Sequence, residues 1–398
     1  MIERKLWQEL KKYLDEKQAL VITGPRRVGK TTTLRWLLAQ TRSKNQIFFD
    51  LENLADRAIF EVVDYNDVIE TLKTRGLDVK SKLYVAIDEI QFLPNITSVI
   101  KYLYDHYDIK FYLSGSSSYY LKNHFSESMS GRKYLFELLP LAFQEFLDLR
   151  GAKYVLPEVD WGQVATFPNA LFDELQNYYE EYIKFGGFPD VVLAESKEVK
   201  KRLITEFYST YINQDVLSLA DFRDTSGLRK LVSLLAARIG NRINILELSN
   251  VSGLSRDTIN VYIEFLERTY LIRTIGVEST SEDVKIRNLK KLYFVDNGIA
   301  AINADLSSGQ KFENALAAQL AGYGELSYYD NGRQEVDFIL RPKSGGTIAL
   351  EAKETPTETD LRTLEFVAAS RLKVDDFAVI GRQKSQKFVN YRYGGELG

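Results

Sequence analysis

The chain has 398 residues, 45% hydrophobic and 27% charged, with 52 Lys plus Arg against 55 Asp plus Glu and a formal net charge of −3. That length allows roughly two to four domains, and the near balance of charge excludes a uniformly basic sheath for nucleic acid. The absence of cysteine and the presence of only two histidines exclude disulfide scaffolds, thiolate zinc sites, iron–sulfur clusters, cysteine nucleophiles and His-rich metal sites.

The N-terminal MIERKLWQELKKYLDEK reads as a polar amphipathic helix without the apolar run of a signal peptide. No stretch approaches the roughly 18 consecutive apolar residues of a membrane span, so a cytoplasmic protein without membrane contact is expected. Ala19–Thr23 is the first strand signal, and it breaks into GPRRVGKTTT and then the helical LRWLLAQ. Further apolar runs at Gln46–Asp50, Leu83–Ile87 and Lys110–Leu113 are spaced for crossover helices, which predicts an α/β core with a parallel sheet that binds ligand at the carboxyl ends of its strands. A strand at Tyr134–Leu138 before PLAFQEFLDL completes a P-loop core over residues 1–150.

Residues 151–218 read as an irregular linker followed by a helical lid, with helices through Leu171–Phe185 and Val199–Leu217 on either side of GGFPD. Residues 219–300 read as a winged-helix domain. Two short helices meet around Gly253, Ser255 is placed as an N-cap, and strands at Ile272–Val277 and Lys291–Val295 form the wing. Residues 301–398 give the order α-β-β-β-α-β, from the helix FENALAAQLA through strands Leu326–Tyr329, Val336–Leu340 and Thr347–Lys353 to a helix at Leu361–Ala369 and a strand at Asp376–Ile380.

Gly24-Pro25-Arg26-Arg27-Val28-Gly29-Lys30-Thr31, followed by Thr32, satisfies G-x-x-x-x-G-K-[ST] between a strand and a helix. The glycines let backbone N–H groups close around phosphate oxygens, Lys30 reaches the β- and γ-phosphates, and the Thr31 hydroxyl binds Mg²⁺. Leu83–Ile87 ends in Asp88 and Glu89, and burying two adjacent carboxylates is costly without a cation or proton to exchange with. Such a pair can be a plain solvated cap. Beside a phosphate loop, Asp88 is expected to hold the magnesium through a water and Glu89 to polarise the attacking water, making ATP and Mg²⁺ the expected ligands.

The chain resembles the AAA+ ATPases, and more narrowly a prokaryotic STAND-like P-loop family with a helix-turn-helix and a C-terminal DUF4143 domain. The resemblance spans essentially the whole chain and rests on GPRRVGKTT, FFDLEN, IDEIQ, LSGSSS, SGR before LFELLPLAFQEF, GGFPD and KLYFVDNG. It implies a γ-phosphate sensor at Ser114 or Ser116, and an arginine finger at Arg132 acting on a neighbouring subunit of a homo-oligomer. It also implies a lid proline, Pro189, near the adenine. Arg132 can equally be a surface arginine paired with Glu127 or Glu137, and GGFPD can be a plain loop boundary. Arg26 and Arg27 fit the same family, as nucleotide contacts or as a lid dock.

Asp337, Glu351 and Lys353 form D-x13-E-x-K, with Glu313 upstream on a helix. Strand alternation places Glu351 and Lys353 on one face, with Asp337 beside them on the neighbouring strand. The set resembles the PD-(D/E)xK nuclease-like fold, in which the carboxylates hold Mg²⁺ and the lysine orients the attacking water. Val336 stands where that pattern has proline. A solvated acid–lysine pair, or a retained fold that binds without cutting, explains the same residues. In the helix-turn-helix, Ser255, Arg256, Asp257 and Asn260 would face base edges. Arg229, Lys230, Arg238 and Arg242 would contact phosphates, and Lys285, Arg287, Lys290 and Lys291 form a basic wing. Interleaved acids leave DNA and protein partners both open. The expected function is a Mg²⁺-dependent ATPase that couples nucleotide state to the winged-helix and nuclease-like region on DNA. The alternative is an ATP-dependent switch or scaffold that binds DNA or protein and carries an inactive nuclease fold.

Overall fold

Five apolar runs become an all-parallel sheet of order β2-β3-β4-β1-β5, built from β1 (Ala19–Thr23), β2 (Gln46–Asp50), β3 (Leu83–Asp88), β4 (Ile109–Gly115) and β5 (Lys133–Glu137). The computed structural model describes residues 2–116, 129–161, 169–216, 225–279, 290–372, 374–383 and 390–398. Central strands β1 and β4 are buried along their whole length, because helices cover both faces. On one face Leu20, Ile22, Ala86 and Tyr112 pack with Leu34 and Leu37 of helix Lys30–Gln40. On the other, Val21, Val85, Phe111 and Leu113 pack with Val99, Ile100 and Leu103 of helix Ile96–His106. The N-terminal helix Lys5–Leu10 fastens the first of these helices from behind. Its Trp7 stacks on Trp36 at 4.6 Å between centroids, and the Trp7 indole N–H donates to Thr33 at 3.0 Å.

The region expected to form a lid, hereafter the lid, folds into helices Asn169–Phe185, Pro189–Leu193 and Lys197–Thr210. The predicted helix pair follows as Ile245–Ser252 and Arg256–Arg268. Gly253 closes the first helix at φ 78°, where a Cβ would be strained, and the Ser255 hydroxyl accepts the Thr258 N–H to start the second.

A second sheet has seven strands in the order β12-β11-β10-β9-β8-β6-β7. These are β6 (Ile272–Val277), β7 (Lys291–Phe294), β8 (Gly324–Asp330), β9 (Glu335–Pro342), β10 (Ile348–Lys353), β11 (Asp376–Gly381) and β12 (Tyr391–Tyr393). With helices Ser308–Leu320 and Glu358–Val367, the C-terminal order α-β-β-β-α-β is present, extended by β12. The difference from expectation lies at the join. Hairpin β6–β7 is antiparallel, but β6 also pairs in parallel with β8 through Gly276–Ser327 and Val277–Tyr328. The expected boundary at residue 300 therefore cuts through one continuous sheet. One apolar core runs from Leu34 beneath the P-loop through Tyr179 of the lid and Phe265 of the helix pair to Phe338 of β9. Among the described residues no helix is long and apolar enough to cross a membrane.

Candidate nucleotide site and a second charged cluster

At the carboxyl edge of the parallel sheet, β1 runs into Gly24 at φ 146°, and a Cβ there would stand 2.0 Å from the Leu138 carbonyl oxygen. Gly29, at φ 99°, opens helix Lys30–Gln40, whose first-turn N–H groups and dipole favour an anion. The Lys30 ammonium is buried and donates to the carbonyls of Gly24 and Pro25 at 3.1 and 2.8 Å. Val28 is fully buried, and its carbonyl accepts from Arg4 at 2.7 Å. Arg4 also donates to the Leu139 carbonyl and pairs with Glu145 at 3.0 Å, so the N-terminal segment props the loop from behind. Sequence reading gave Arg4 no role. Thr32 is half-buried on the helix that the loop opens.

Asp88 closes β3 with neutral hydrogen-bond donors, while the charges of Glu89 and Lys30 act on it from nearby. The Thr31 hydroxyl donates to one carboxylate oxygen at 2.5 Å, while the Ser114 hydroxyl and the Glu89 N–H donate to the other. Burial pushes the Asp88 carboxyl above its ordinary value, and the two hydroxyl bonds work against that shift. A hydroxyl and a carboxylate side by side at this edge fit the hard-oxygen preference of magnesium. Glu89 takes the left-handed conformation, φ 52° and ψ 49°, which costs a non-glycine residue about 1 kcal/mol or more and turns the chain away from the strand. Its carboxylate accepts from the Gln91 amide, which also donates to Ser116 at 2.8 Å. Ser114 thus lies inside β4 and supports Asp88, whereas Ser116 stands just past the strand, across Gln91 from Glu89. Gln91 was visible in the IDEIQ run, but nothing in the spacing assigned it this bridge.

Arg27, also left-handed at φ 62°, leaves the loop toward the lid. It lies over the Phe207 ring at 4.5 Å and pairs with Glu206 at 3.3 Å and Asp190 at 4.0 Å, which favours lid docking for this residue. Pro189 is half-buried at the first position of a short helix, and it is the preceding Phe188 that lines a cleft together with Pro25, Arg26 and Arg27. The two glycines before it are dictated by contacts. Gly187 donates to Asp296 at 2.7 Å and accepts from the Leu141 N–H, while a Cβ on Gly186 would stand 2.1 Å from the Asp296 carboxylate. Burial pushes Asp296 up to about 6, against bonds from the N–H groups of Gly187, Ile299 and Gly298. The Tyr270 hydroxyl, ahead of β6, donates to Glu137 at 3.1 Å and lies 3.3 Å from the Thr23 hydroxyl. The GGFPD, VDNG and LLPLAF runs therefore meet at one joint between core, lid and hairpin.

Arg132 holds Asp105 through two bonds of 2.8 and 3.2 Å, rather than the expected Glu137; Glu127 lies outside the described residues. It sits at the amino end of β5, about 17 Å of strand from the carboxyl edge, and does not reach its own loop.

On the second sheet, Asp337 and Glu351 face each other across β9 and β10, as alternation required. The Asp337 N–H donates to Glu351 at 3.3 Å, and Asp337 accepts from the Ala352 N–H at 3.1 Å. Lys353 pairs with Glu351 at 2.7 Å, and Glu313 accepts from Tyr293 at 2.8 Å. The residue that was missed is Lys291. Expected on an exposed wing, it is buried and pairs with Glu335 at 2.5 Å and Asp337 at 3.3 Å. Burial alone would lower its pKa, but Asp337, Glu313 and Glu335 outweigh that and hold the ammonium above the ordinary lysine value. Glu313 and Glu351 are both pushed up, by burial and then by the charge of Asp337. Among the described residues no three carboxylate or histidine side chains gather closely enough to hold a metal ion, so the expected magnesium set of Glu313, Asp337 and Glu351 does not fit as placed.

The residues expected to meet DNA divide in two. Ser255, Arg256, Asp257 and Asn260 are exposed at the start of their helix. The expected phosphate contacts each have a partner within the chain, although Lys230 is exposed and Arg242 half exposed. Lys230 donates to the Ser252 carbonyl, Arg238 pairs with Glu247 at 2.7 Å, Arg242 pairs with Asp330 at 2.6 Å, and Arg229 lies 5.9 Å from the centre of the Tyr208 ring. Lys290 is exposed, while Lys285 and Arg287 lie outside the described residues.

Residues 16–147 match the AAA domain, in agreement with the strand order and the loop geometry. Residues 176–310 match a domain of unknown function, DUF8612, where DUF4143 had been expected further along the chain. That match crosses the expected boundaries at 218 and 300, as do the lid–hairpin contacts. The chain is 28% identical over 369 residues to an uncharacterized protein of Methanocaldococcus jannaschii, covering 89% of this chain and 80% of that protein. It is 27% identical over 380 residues to an uncharacterized protein of Haemophilus influenzae, covering 90% of each. The solved ORC1 protein of Aeropyrum pernix in complex with DNA is similar at a TM-score of 0.34 and 14% identity, over 80% of this chain and 95% of that one. A likeness that low carries no argument about ligands.

Proposed function

We propose that the protein is a Mg²⁺-dependent ATPase that uses nucleotide state to reposition its lid and the sheet joined to it. The carrying observation is the Thr31–Asp88 contact of 2.5 Å beside Lys30, with Glu89 held by Gln91 one residue beyond. A magnesium ion held by Thr31 and Asp88 would supply positive charge to the β- and γ-phosphates. The loop N–H groups and Lys30 bind phosphate oxygens, so Lys30 must exchange its two carbonyl partners for them. Glu89 accepts the proton of the attacking water, and Gln91 fixes its carboxylate and ties it to Ser116, the better placed of the two serines to sense the γ-phosphate. Catalysis is then mainly positioning and electrostatic stabilisation. Arg132 would serve only a neighbouring subunit, after leaving Asp105. Arg27 couples loop to lid through Glu206, and Asp296 couples lid to hairpin through Gly187.

The test is Glu89→Gln. ATP affinity stays within a few-fold of the parent, while turnover, followed as phosphate release, drops about 10²- to 10⁴-fold. Equal loss of binding would show that Glu89 holds the ligand rather than the water. For a DNA partner, the favouring observation is the exposed start of helix Arg256–Arg268. Because the neighbouring basic residues are bonded internally, DNA affinity would depend on Arg256 and Asn260 and show a shallow salt slope. Duplex binding unaffected by both substitutions would reject that partner.

A further inference from the structure

On the second sheet the charges of Asp337, Glu313 and Glu335 act on the Lys291 ammonium and Glu351 lies beside Asp337, although as placed no three of these acids gather closely enough to hold a metal ion. We propose that the Lys291 ammonium is the resident cation of this cluster, so that the carboxylates fasten strand β7 of the hairpin to the C-terminal sheet instead of holding a divalent ion.

Lys291 comes from a segment 46 residues before Asp337 in sequence and reaches it across the sheet, with its side chain only 3% exposed. A buried ammonium is retained only where anions compensate its lost hydration, and here two carboxylates do so directly, at 2.5 and 3.3 Å. A divalent ion bridging Asp337 and Glu351 would have to displace that ammonium and also break the 2.7 Å Lys353–Glu351 pair. The cluster is also part of a charged seam. Arg242 pairs with Asp330 at 2.6 Å and Arg341 with Glu278 at 2.6 Å across the same join, where the backbone supplies only the short β6–β8 pairing. These ion pairs add to the apolar core that crosses the join, where Tyr293 of β7 packs on Phe338 of β9 at 5.4 Å between ring centres. Since β7 leads directly into Asp296, which Gly187 contacts at 2.7 Å, the Lys291 contact ties the C-terminal sheet to the helices around Gly187. The inference does not depend on ATP hydrolysis.

The experiment measures Mn²⁺ binding to the nucleotide-free full-length chain by electron paramagnetic resonance, comparing the parent, Asp337→Asn, Lys291→Met and the double variant. Any manganese at the P-loop is common to all four. The parent and Asp337→Asn should bind alike up to millimolar Mn²⁺. With the ammonium gone the acids are free to close on an ion, so Lys291→Met should gain one site at least about tenfold tighter than any second site of the parent, and the double variant should lose it. Melting profiles establish which variants are folded, and Lys291→Arg, which keeps the charge, should stay as stable as the parent and refuse manganese. An Asp337-dependent manganese site in the parent would overturn the proposal, and so would a folded Lys291→Met chain that gains none. If Lys291→Met does not fold, the parent against Asp337→Asn still decides: identical binding supports the lysine as resident cation, and a difference rejects it.

Discussion

Each sheet of this molecule carries acids on its strands, Asp88 at the end of β3 and Asp337 and Glu351 within β9 and β10, and the partners of those acids differ in charge. Asp88 is held by hydroxyls and a backbone N–H, so under the proposed function its negative charge would be available to a metal arriving with nucleotide. Asp337 and Glu351 are held by ammonium groups that already compensate them. The same residue type on a strand therefore has neutral bonding partners in one sheet and ammonium partners in the other. The difference is set by two lysines, Lys353 two residues along the same strand and Lys291 from a distant segment, and the second is not revealed by the acids.

The sharpest way to break this comparison is to neutralise each acid in turn. Asp88→Asn should cut ATP turnover about 10²-fold or more and raise the magnesium concentration needed for half-maximal rate, as expected when an electrostatic group of the transition state is lost. Asp337→Asn should leave both quantities within a factor of two. Equal effects in a phosphate-release assay would dissolve the distinction between the two sites.

A smaller effect concerns the joint between them. Asp296, with an unfolded value near 3.8 and a folded value of about 6, binds more protons folded than unfolded across that window. It therefore lowers stability as pH rises from about 4 to 6, by about 3 kcal/mol, and contributes no further slope above that. Denaturant melts of the parent and Asp296→Asn at several pH values should show the slope shrinking in the variant. An unchanged slope would mean that Asp296 is not the buried acid responsible. Smaller again, Gly187→Ala would place a Cβ 2.4 Å from the Leu141 carbonyl oxygen, and a loss of about 2 kcal/mol is expected from the forced shift. Loss of nucleotide-dependent protection in the lid, read by hydrogen exchange at matched stability, would show that this contact also transmits the nucleotide state.

The phosphate loop and the Asp88–Glu89 pair were legible because their chemistry is contiguous: eight residues from Gly24 to Thr31 and two at a strand end carry the whole signal. The pairing of Asp337 with Glu351 was legible for a related reason, since period-two alternation and a short turn fix which residues face each other. Lys291 was misread because basic residues near a hairpin look like a solvated wing. Only the two-residue pairing of β6 with β8 turns that strand inward against β9, and no periodicity announces such a pairing. Gln91, Arg4 and Tyr270 were missed for the same reason, as each acts on a partner brought near by tertiary packing. The double glycine at 186–187 was legible as a break in a helix. Its cause, the Asp296 carboxylate arriving from 109 residues further on, was not.

The central claim is that the loop around Lys30 binds a nucleoside triphosphate with magnesium, and calorimetric titration of the nucleotide-free chain with ATP and ADP in the presence of Mg²⁺ tests it most directly. The expected result is saturable one-to-one binding of both nucleotides that disappears in Lys30→Ala while the variant's melting profile stays cooperative. Absence of heat from the parent chain, or binding that survives intact in Lys30→Ala, would contradict it.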